Sequence, residues 1–470
     1  MKRFFIALTR NPISLLGTAI TTASAVLIFA LFAIELVGYR GGPYLGILAF
    51  LVLPAFFALG LILIPIGILR ERRRARRAAE RGEPAPLFPV IDLNKDRTRR
   101  WVVTFVVLTL VNLVILAAAT YKGVEVMESP QFCGETCHSV MAPEYTAYQR
   151  APHAQVACVD CHIGPGAAAF AHAKLNGAWQ VVSTNFNLYH RPITLPNRDR
   201  ANVQGTCSEC HWPPAPAGDK LRVITKFQED EANTEVKTVL ALHLGSAESG
   251  RSHGIHWHAD PQVQVRFRAD EARQTVYEVE VTRPDGSVKL FLPPDGAKSP
   301  EEGGEWQVMG CLDCHNRPSH TFRLPAEELD LALEQGRLDR SLPFLRQQGM
   351  QLLTAGYASH EAASAAITSG LAAFYRDQHP DVAAAQSDAI SAAGEELSRI
   401  YSWNVFPSMN VDWGTYPRNI GHENFPGCFR CHDEEHATED GETLSQDCFA
   451  CHSLPAVEEE NPDVLQQLEI

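Results

Sequence analysis

No cysteine in this sequence stands alone. All 12 fall in pairs, each followed at once by histidine, so none is left for a disulfide framework. Positive charge is scarce over most of the chain. Residues 1–120 hold 15 Lys and Arg against 6 Asp and Glu, whereas residues 121–470 carry a net −23. A surface that acidic makes a poor partner for nucleic acid and would steer basic macromolecules toward it. Long apolar runs are confined to the first quarter of the 470 residues.

The cysteine pairs have one spacing with a single exception. Cys158/Cys161/His162, Cys207/Cys210/His211, Cys311/Cys314/His315, Cys428/Cys431/His432 and Cys448/Cys451/His452 read Cys-x-x-Cys-His. Cys133/Cys137/His138 is stretched by one residue. Zinc knuckles share the Cys-x-x-Cys pair but do not demand a histidine directly after it. Disulfides need no histidine at all. Covalent haem c needs both: two thiols for the two vinyl groups of one porphyrin, and an adjacent imidazole under the iron. The spacing therefore predicts six haems c, with those twelve cysteines as attachment points and those six histidines as proximal ligands.

Three apolar stretches, residues 15–38, 44–69 and 101–121, are each near the ~20 residues a membrane-spanning helix requires. Pro54 and Pro65 lie in the second, which a membrane helix tolerates. The first run is too long for a cleaved signal and a second follows at once, so it reads as a retained anchor. Residues 70–100 hold 11 Lys and Arg, among them Arg72, Arg73, Arg74, Arg76 and Arg77. Positive loops stay inside, which predicts a cytoplasmic N-terminus and delivers the rest of the chain to the periplasmic side of a bacterial inner membrane. Haem attachment requires that same side.

The fold expected is a membrane-anchored multihaem cytochrome c. Residues 1–121 form a three-helix anchor. A loop- and helix-rich haem domain, 122–215, carries the first three motifs. A small antiparallel β insert spans 216–300: the alternation at Val263, Val265 and Phe267, then at residues 276–281, turns at Pro284-Asp285-Gly286 into 288–292. The fourth motif lies in 301–325. A helical insert follows at 326–405, where Leu329, Leu333, Leu345, Leu352, Leu353, Ala366, Ile367, Leu371 and Phe374 recur at helical spacing and Ser359 is an N-cap. Residues 406–470 carry the last two motifs, only 17 residues apart.

Twelve of the 18 histidines remain for other roles. His153, His256, His258, His320, His422 and His436 stand close to motifs or in a Gly-Ile-His-Trp-His run and are the candidate distal ligands. His243 and His253 are further candidates. His172, His190, His360 and His379 read as surface or hydrogen-bonding residues. Met141, three residues after His138, could ligate the first iron through its thioether, or it could simply pack.

Residues 132–141 (Phe-Cys-Gly-Glu-Thr-Cys-His-Ser-Val-Met), Pro143-Glu144-Tyr145, Ala151-Pro152-His153, residues 158–166 (Cys-Val-Asp-Cys-His-Ile-Gly-Pro-Gly) and Lys174 together resemble the NapC/NirT family of membrane-anchored multihaem quinol dehydrogenases. The resemblance covers residues 121–215 and the anchoring. Typical members have one helix and four haems, so this chain looks like an extended, six-haem, three-helix branch. In that branch Gly-Ile-His-Trp-His, Cys-His-Asn-Arg-Pro-Ser-His and Pro-Gly-Cys-Phe-Arg-Cys-His also occur. The resemblance implies a first haem at the membrane surface, with Met141 near it and Lys174 binding quinol; the alternative for Lys174 is a surface lysine. It implies oxidation of the membrane quinol pool and delivery of electrons to a periplasmic cytochrome or reductase. Glu125, Glu128, Glu135 and Glu144 are candidate proton acceptors.

An electron-relay subunit of a larger respiratory complex, without its own quinol site, is the alternative. A terminal reductase often carries Cys-x-x-Cys-Lys, which is missing here, and a haem sensor would need a cytoplasmic signalling domain, for which there is no sequence.

Overall fold

The computed structural model describes residues 11–36, 52–82, 92–100, 102–104, 107, 121–122, 125–136, 138–163, 167–193, 206–211, 218–245, 254–260, 262–293 and 305–468. The chain divides into two compact units, one of residues 1–133 and 158–186, the other of 134–157 and 187–470.

In the first unit, the helix Pro12–Leu36 packs along the helix Leu53–Glu80. Small residues let the two backbones approach. A methyl group on Gly17 would meet the Gly60 carbonyl at 2.8 Å, and one on Gly67 would meet the Ser14 backbone nitrogen at 2.6 Å. The Ser14 hydroxyl donates to the Ile64 carbonyl at 2.9 Å. Small residues and a buried hydroxyl are how helices associate when lipid removes the hydrophobic drive. Leu59, Leu61, Ile62, Ile66 and Leu69 face outward. Among the described residues, Leu53–Glu80 is the one helix long and apolar enough to cross a membrane. The third expected span, 101–121, lies almost wholly outside the described residues.

The second unit contains two antiparallel sheets and a helical lobe. Strands β1 (Gly218–Phe227), β2 (Glu235–Gly245) and β7 (His452–Glu459) form one sheet in the order β1-β2-β7. The second has the order β5-β4-β3-β6, from β3 (Gln264–Ala269), β4 (Val276–Thr282), β5 (Val288–Phe291) and β6 (Gln307–Val308). The β4–β5 hairpin turns as its sequence dictates: Gly286 takes φ +81 and Asp285 accepts from the Ser287 amide at 2.9 Å. Val265, Phe267, Val279, Val281 and Phe291 alternate inward to make its core.

The single sheet expected in 216–300 is therefore two. Each is completed by a strand bordering a cysteine motif: β6 leads into Cys311, and β7 begins at His452. β7 pairs with β2 across about two hundred residues, which leaves no local trace in the alternation pattern.

Helices Pro325–Glu334, Leu345–Leu353, His360–Gln378, Pro380–Ala385 and Ser387–Asn404 form the lobe. Leu329, Leu333, Leu345, Leu353, Ile367 and Leu371 are buried together, as their spacing predicts. Ser359 accepts the Ala362 amide at 3.2 Å, capping the longest of these helices. Phe227, at the end of β1, enters the same core, and its amide donates to Asp330 at 3.1 Å.

Candidate functional site

The cysteine motifs adopt single turns. Cys158–His162, Cys311–Cys314 and Cys448–Cys451 are one-turn helices, and Gly427–Arg430 is a 3-10 turn. Residues 206–210 are helical too, and the His211 amide closes that turn on the Cys207 carbonyl at 2.9 Å. Such turns bring residues three apart to one side, so two thiols can face one planar group. The stretched motif has a wider π-turn at Phe132–Thr136. One inserted residue in a helical turn produces this geometry. A methyl group at Gly134 would strike the Tyr145 ring, so the turn needs glycine there.

No disulfide joins the described cysteines; Cys137 lies outside them. The second thiols of the motifs differ in exposure. Cys161 is half-buried on its turn, and its charge bears on Cys158. Cys314, Cys431 and Cys451 are half-buried as well, whereas Cys210 is exposed. The sequence spacing treats Cys161 and Cys210 as equivalent haem attachment points, and the structure sets them in unlike surroundings. The physical reason is the wall each turn packs against: Cys133 stands beside the turn of Cys161, and the Cys210 turn leaves its second thiol open on the surface.

The histidines come together in facing pairs. Ring centroids of His153 and His211 are 6.1 Å apart, those of His258 and His432 are 5.8 Å apart, and those of His422 and His452 are 6.1 Å apart. A metal–imidazole bond is about 2 Å long, so a linear nitrogen–metal–nitrogen unit puts ring centroids about 6 Å apart. His315 has His256 and His211 as charged-state neighbours.

Hydrogen bonds select the tautomer. Nδ1 of His153 lies 3.2 Å from the Pro318 carbonyl, that of His258 2.9 Å from Ile255, that of His320 3.0 Å from Glu144 and that of His432 3.0 Å from Ser445. A carbonyl only accepts, so each Nδ1 carries the proton and each Nε2 keeps its lone pair. Nδ1 of His436 is 2.7 Å from Asp433, and its Nε2 is buried with no hydrogen-bond partner among the described residues. Nδ1 of His256 and of His452 are likewise buried and unpartnered there. Buried nitrogens left open in this way fit a metal-bearing group better than a closed protein core.

The electrostatics agree. Burial first, then neighbouring imidazoles, hold His258, His315 and His452 below the ordinary histidine pKa. That favours the neutral form a metal ligand requires. Burial pushes the thiols of Cys314 and Cys431 up, to about 11 and about 12. The Cys158 thiol is raised chiefly by its hydrogen bond with Cys133, which puts these two cysteines side by side. Cys314 and Cys451 each sense Cys428, so the last three motifs are also neighbours.

Other expected residues stand as follows. Met141 is half-buried on the helix His138–Gln149, one turn from position 138. Lys174 lies on the helix Ala167–Asn185. His243 bonds Asp219 at 3.0 Å and neighbours His452. His360 spends its Nε2 on the Val405 carbonyl at 2.6 Å. His253 lies outside the described residues. Among the carboxylates, Glu125 pairs with Lys122 at 2.7 Å, and Glu144 lies 3.5 Å from Arg317 and 3.3 Å from His320.

Sequence reasoning missed the residues that hold these histidines. Glu328, wholly buried, takes Arg150 at 2.6 and 2.8 Å, fixing the segment that ends in His153. Tyr148 donates to the Ala154 and Val156 carbonyls at 2.8 and 2.9 Å. Asp313 and Arg430, the variable residues inside the fourth and fifth motifs, are both engaged in hydrogen bonds. Their positions within the motifs were the one available signal.

Residues 95–198 match the NapC/NirT cytochrome c family, N-terminal region. The chain is 38% identical to the cytochrome c-type protein ImcH of Geobacter sulfurreducens over 454 residues, 96% of this chain and 89% of that one. A probable tetraheme cytochrome c-type protein of Nitrosomonas europaea is 27% identical over 140 residues, covering 26% of this chain and 60% of that one. No solved structure matches. The chain belongs to the NapC/NirT cytochrome c family and is a membrane-anchored, multihaem electron-transfer cytochrome.

Proposed function

We propose that the chain oxidises membrane quinol at the periplasmic face of the bacterial inner membrane and passes the electrons along six covalent haems c to a periplasmic acceptor. The observation that carries the relay is the set of facing imidazoles about 6 Å apart, in which carbonyls hold the Nδ1 protons of His153, His258 and His432. Haem, when bound, takes and returns one electron at a time. The residues supply the rest. His211 with His153, His432 with His258, and His452 with His422 would hold three irons from both sides; His315 with His256 would hold a fourth. His138, His162, Met141, His320 and His436 remain for the first two. Positions one turn apart on a helix offer donors to one side of an iron, so His138 and Met141 are alternatives there rather than opposed partners.

Quinol gives up two protons as well as two electrons. The first motif begins 12 residues after the third apolar stretch, close to the lipid that carries quinol. Lys174 would donate to a quinol oxygen, and a carboxylate among Glu125, Glu128 and Glu135 would receive a proton. Glu144 is a weaker candidate, since Arg317 and His320 already engage it. Three membrane helices with the 70–100 loop inside would hold this site at the surface. Residues 431–470 contain 12 Asp and Glu and no Lys or Arg, which suits a basic acceptor at the sixth motif.

The test is quinol-driven reduction of the haems in purified protein. A charge-assisted hydrogen bond contributes about 1.5–3 kcal/mol, so Lys174→Ala should slow that reduction by on the order of ten- to a hundredfold while dithionite reduces it normally. A wild-type rate would remove Lys174 from the site.

A further inference from the structure

We propose that Arg430 is a positioning residue that clamps the fourth and fifth attachment segments together and tunes electron exchange between the haems they carry; this rests on the relay reading above.

Arg430 sits inside the fifth motif, between Cys428 and Cys431. Its guanidinium donates to three carbonyls: Gly427 at 2.8 Å, Arg273 at 2.6 Å and Asp313 at 2.7 Å. The first begins the turn Gly427–Arg430 that carries its own motif, the second belongs to the β3–β4 turn, the third to the interior of the fourth motif. A planar fork reaches three acceptors at fixed angles; an ammonium does not.

The fourth motif is held equally firmly. The Asp313 carboxylate takes Arg273 at 2.5 Å and the Gly310 amide at 2.8 Å. Its carbonyl also accepts Asn419 at 2.9 Å, and the Asn419 amide donates to Asn316 at 3.0 Å. Asp313, Asn419 and Arg273 are 1%, 2% and 8% exposed. The two attachment segments are thus joined through residues inside each Cys-x-x-Cys, within a buried network that has little freedom to shift. Arg273 spends its charge on Asp313, whereas the described partners of Arg430 are all carbonyl dipoles. The net positive charge of Arg430 therefore stays close to both segments; the Cys314 and Cys431 thiols both feel it. A fixed cation beside two haems favours their reduced state.

The full-length protein in detergent tests this with Arg430→Gln and Arg430→Lys, each first counted for haem. In Arg430→Gln, two midpoint potentials should fall, and the magnetic interaction between two ferric haems seen by EPR should weaken. Arg430→Lys should restore the potentials but not the interaction, because charge returns without the fork. Arg430→Gln carrying its full haem complement with wild-type potentials and wild-type EPR would overturn the proposal. If that variant fails to attach haem at the fifth motif, Asn419→Ala decides, since it loosens the same Asp313 carbonyl without changing charge: a weakened interaction supports the clamp, an unchanged one overturns it. A wild type lacking haem at the fourth or fifth motif would instead refute the relay reading itself.

Discussion

His258 shows how a side chain can be prepared to bind a metal before any metal arrives. The Ile255 carbonyl fixes its proton on Nδ1, burial keeps the ring neutral, and His432 faces it at 5.8 Å. His258→Met should leave the haem count unchanged and raise one midpoint potential, since a thioether ligand favours the reduced iron; a redox titration followed by visible spectra reads it. Six unchanged potentials would remove His258 from the ligand set. Gly427 matters at the same scale. It takes φ +50, and a methyl group there would run into the Gly421 carbonyl. Gly427→Ala should cost at least about 1–3 kcal/mol locally and lower haem attachment at the fifth motif, seen as a one-haem mass deficit. The six cysteine–histidine motifs were legible in the sequence because each is a short local spacing that folds as a single turn. The difference in exposure between Cys161 and Cys210 was not, because identical spacing says nothing of what packs against each turn. Arg430, Asp313 and Glu328 were hidden too, because a hydrogen bond between residues far apart in the chain leaves no periodicity to read.

At the scale of elements, the helical lobe and the β4–β5 hairpin follow from local rules: a 3.6-residue apolar repeat, a Ser cap, an Asp-Gly turn. Leu371 is fully buried in the lobe, so Leu371→Ala should destabilise it by about 2–5 kcal/mol, measured by chemical denaturation followed through helix content. The division of the β segment into two sheets was hidden, because β7 is recruited to β2 from beside the sixth motif, about two hundred residues away. That arrangement ties the sixth motif to β2 through the His452–Leu242 pairing. In the anchor, the close approach of Gly17 and Gly60 predicts that Gly60→Leu separates the two helices and lowers the yield of membrane-inserted protein, whereas a change on the outward face, Ile62→Leu, should be silent.

For the whole molecule, charge and cofactor load work in one direction. In the proposed arrangement the 11 Lys and Arg of residues 70–100 would keep that loop inside, and the net −23 of residues 121–470 would face the acceptor. Electron delivery to a basic acceptor should slow as salt is raised, because the Debye length is only about 8 Å at physiological ionic strength; stopped-flow oxidation across a salt series measures it, and a flat response would argue against charge-steered docking. The central claim is that electrons enter from quinol. The most direct measurement is the reduction of the haems by a reduced quinone in liposomes containing only this protein, monitored at the haem absorption bands. Quinol should reduce the wild type, and reduction should slow by on the order of ten- to a hundredfold in Lys174→Ala. A wild type that dithionite reduces fully but no quinol reduces would contradict the claim.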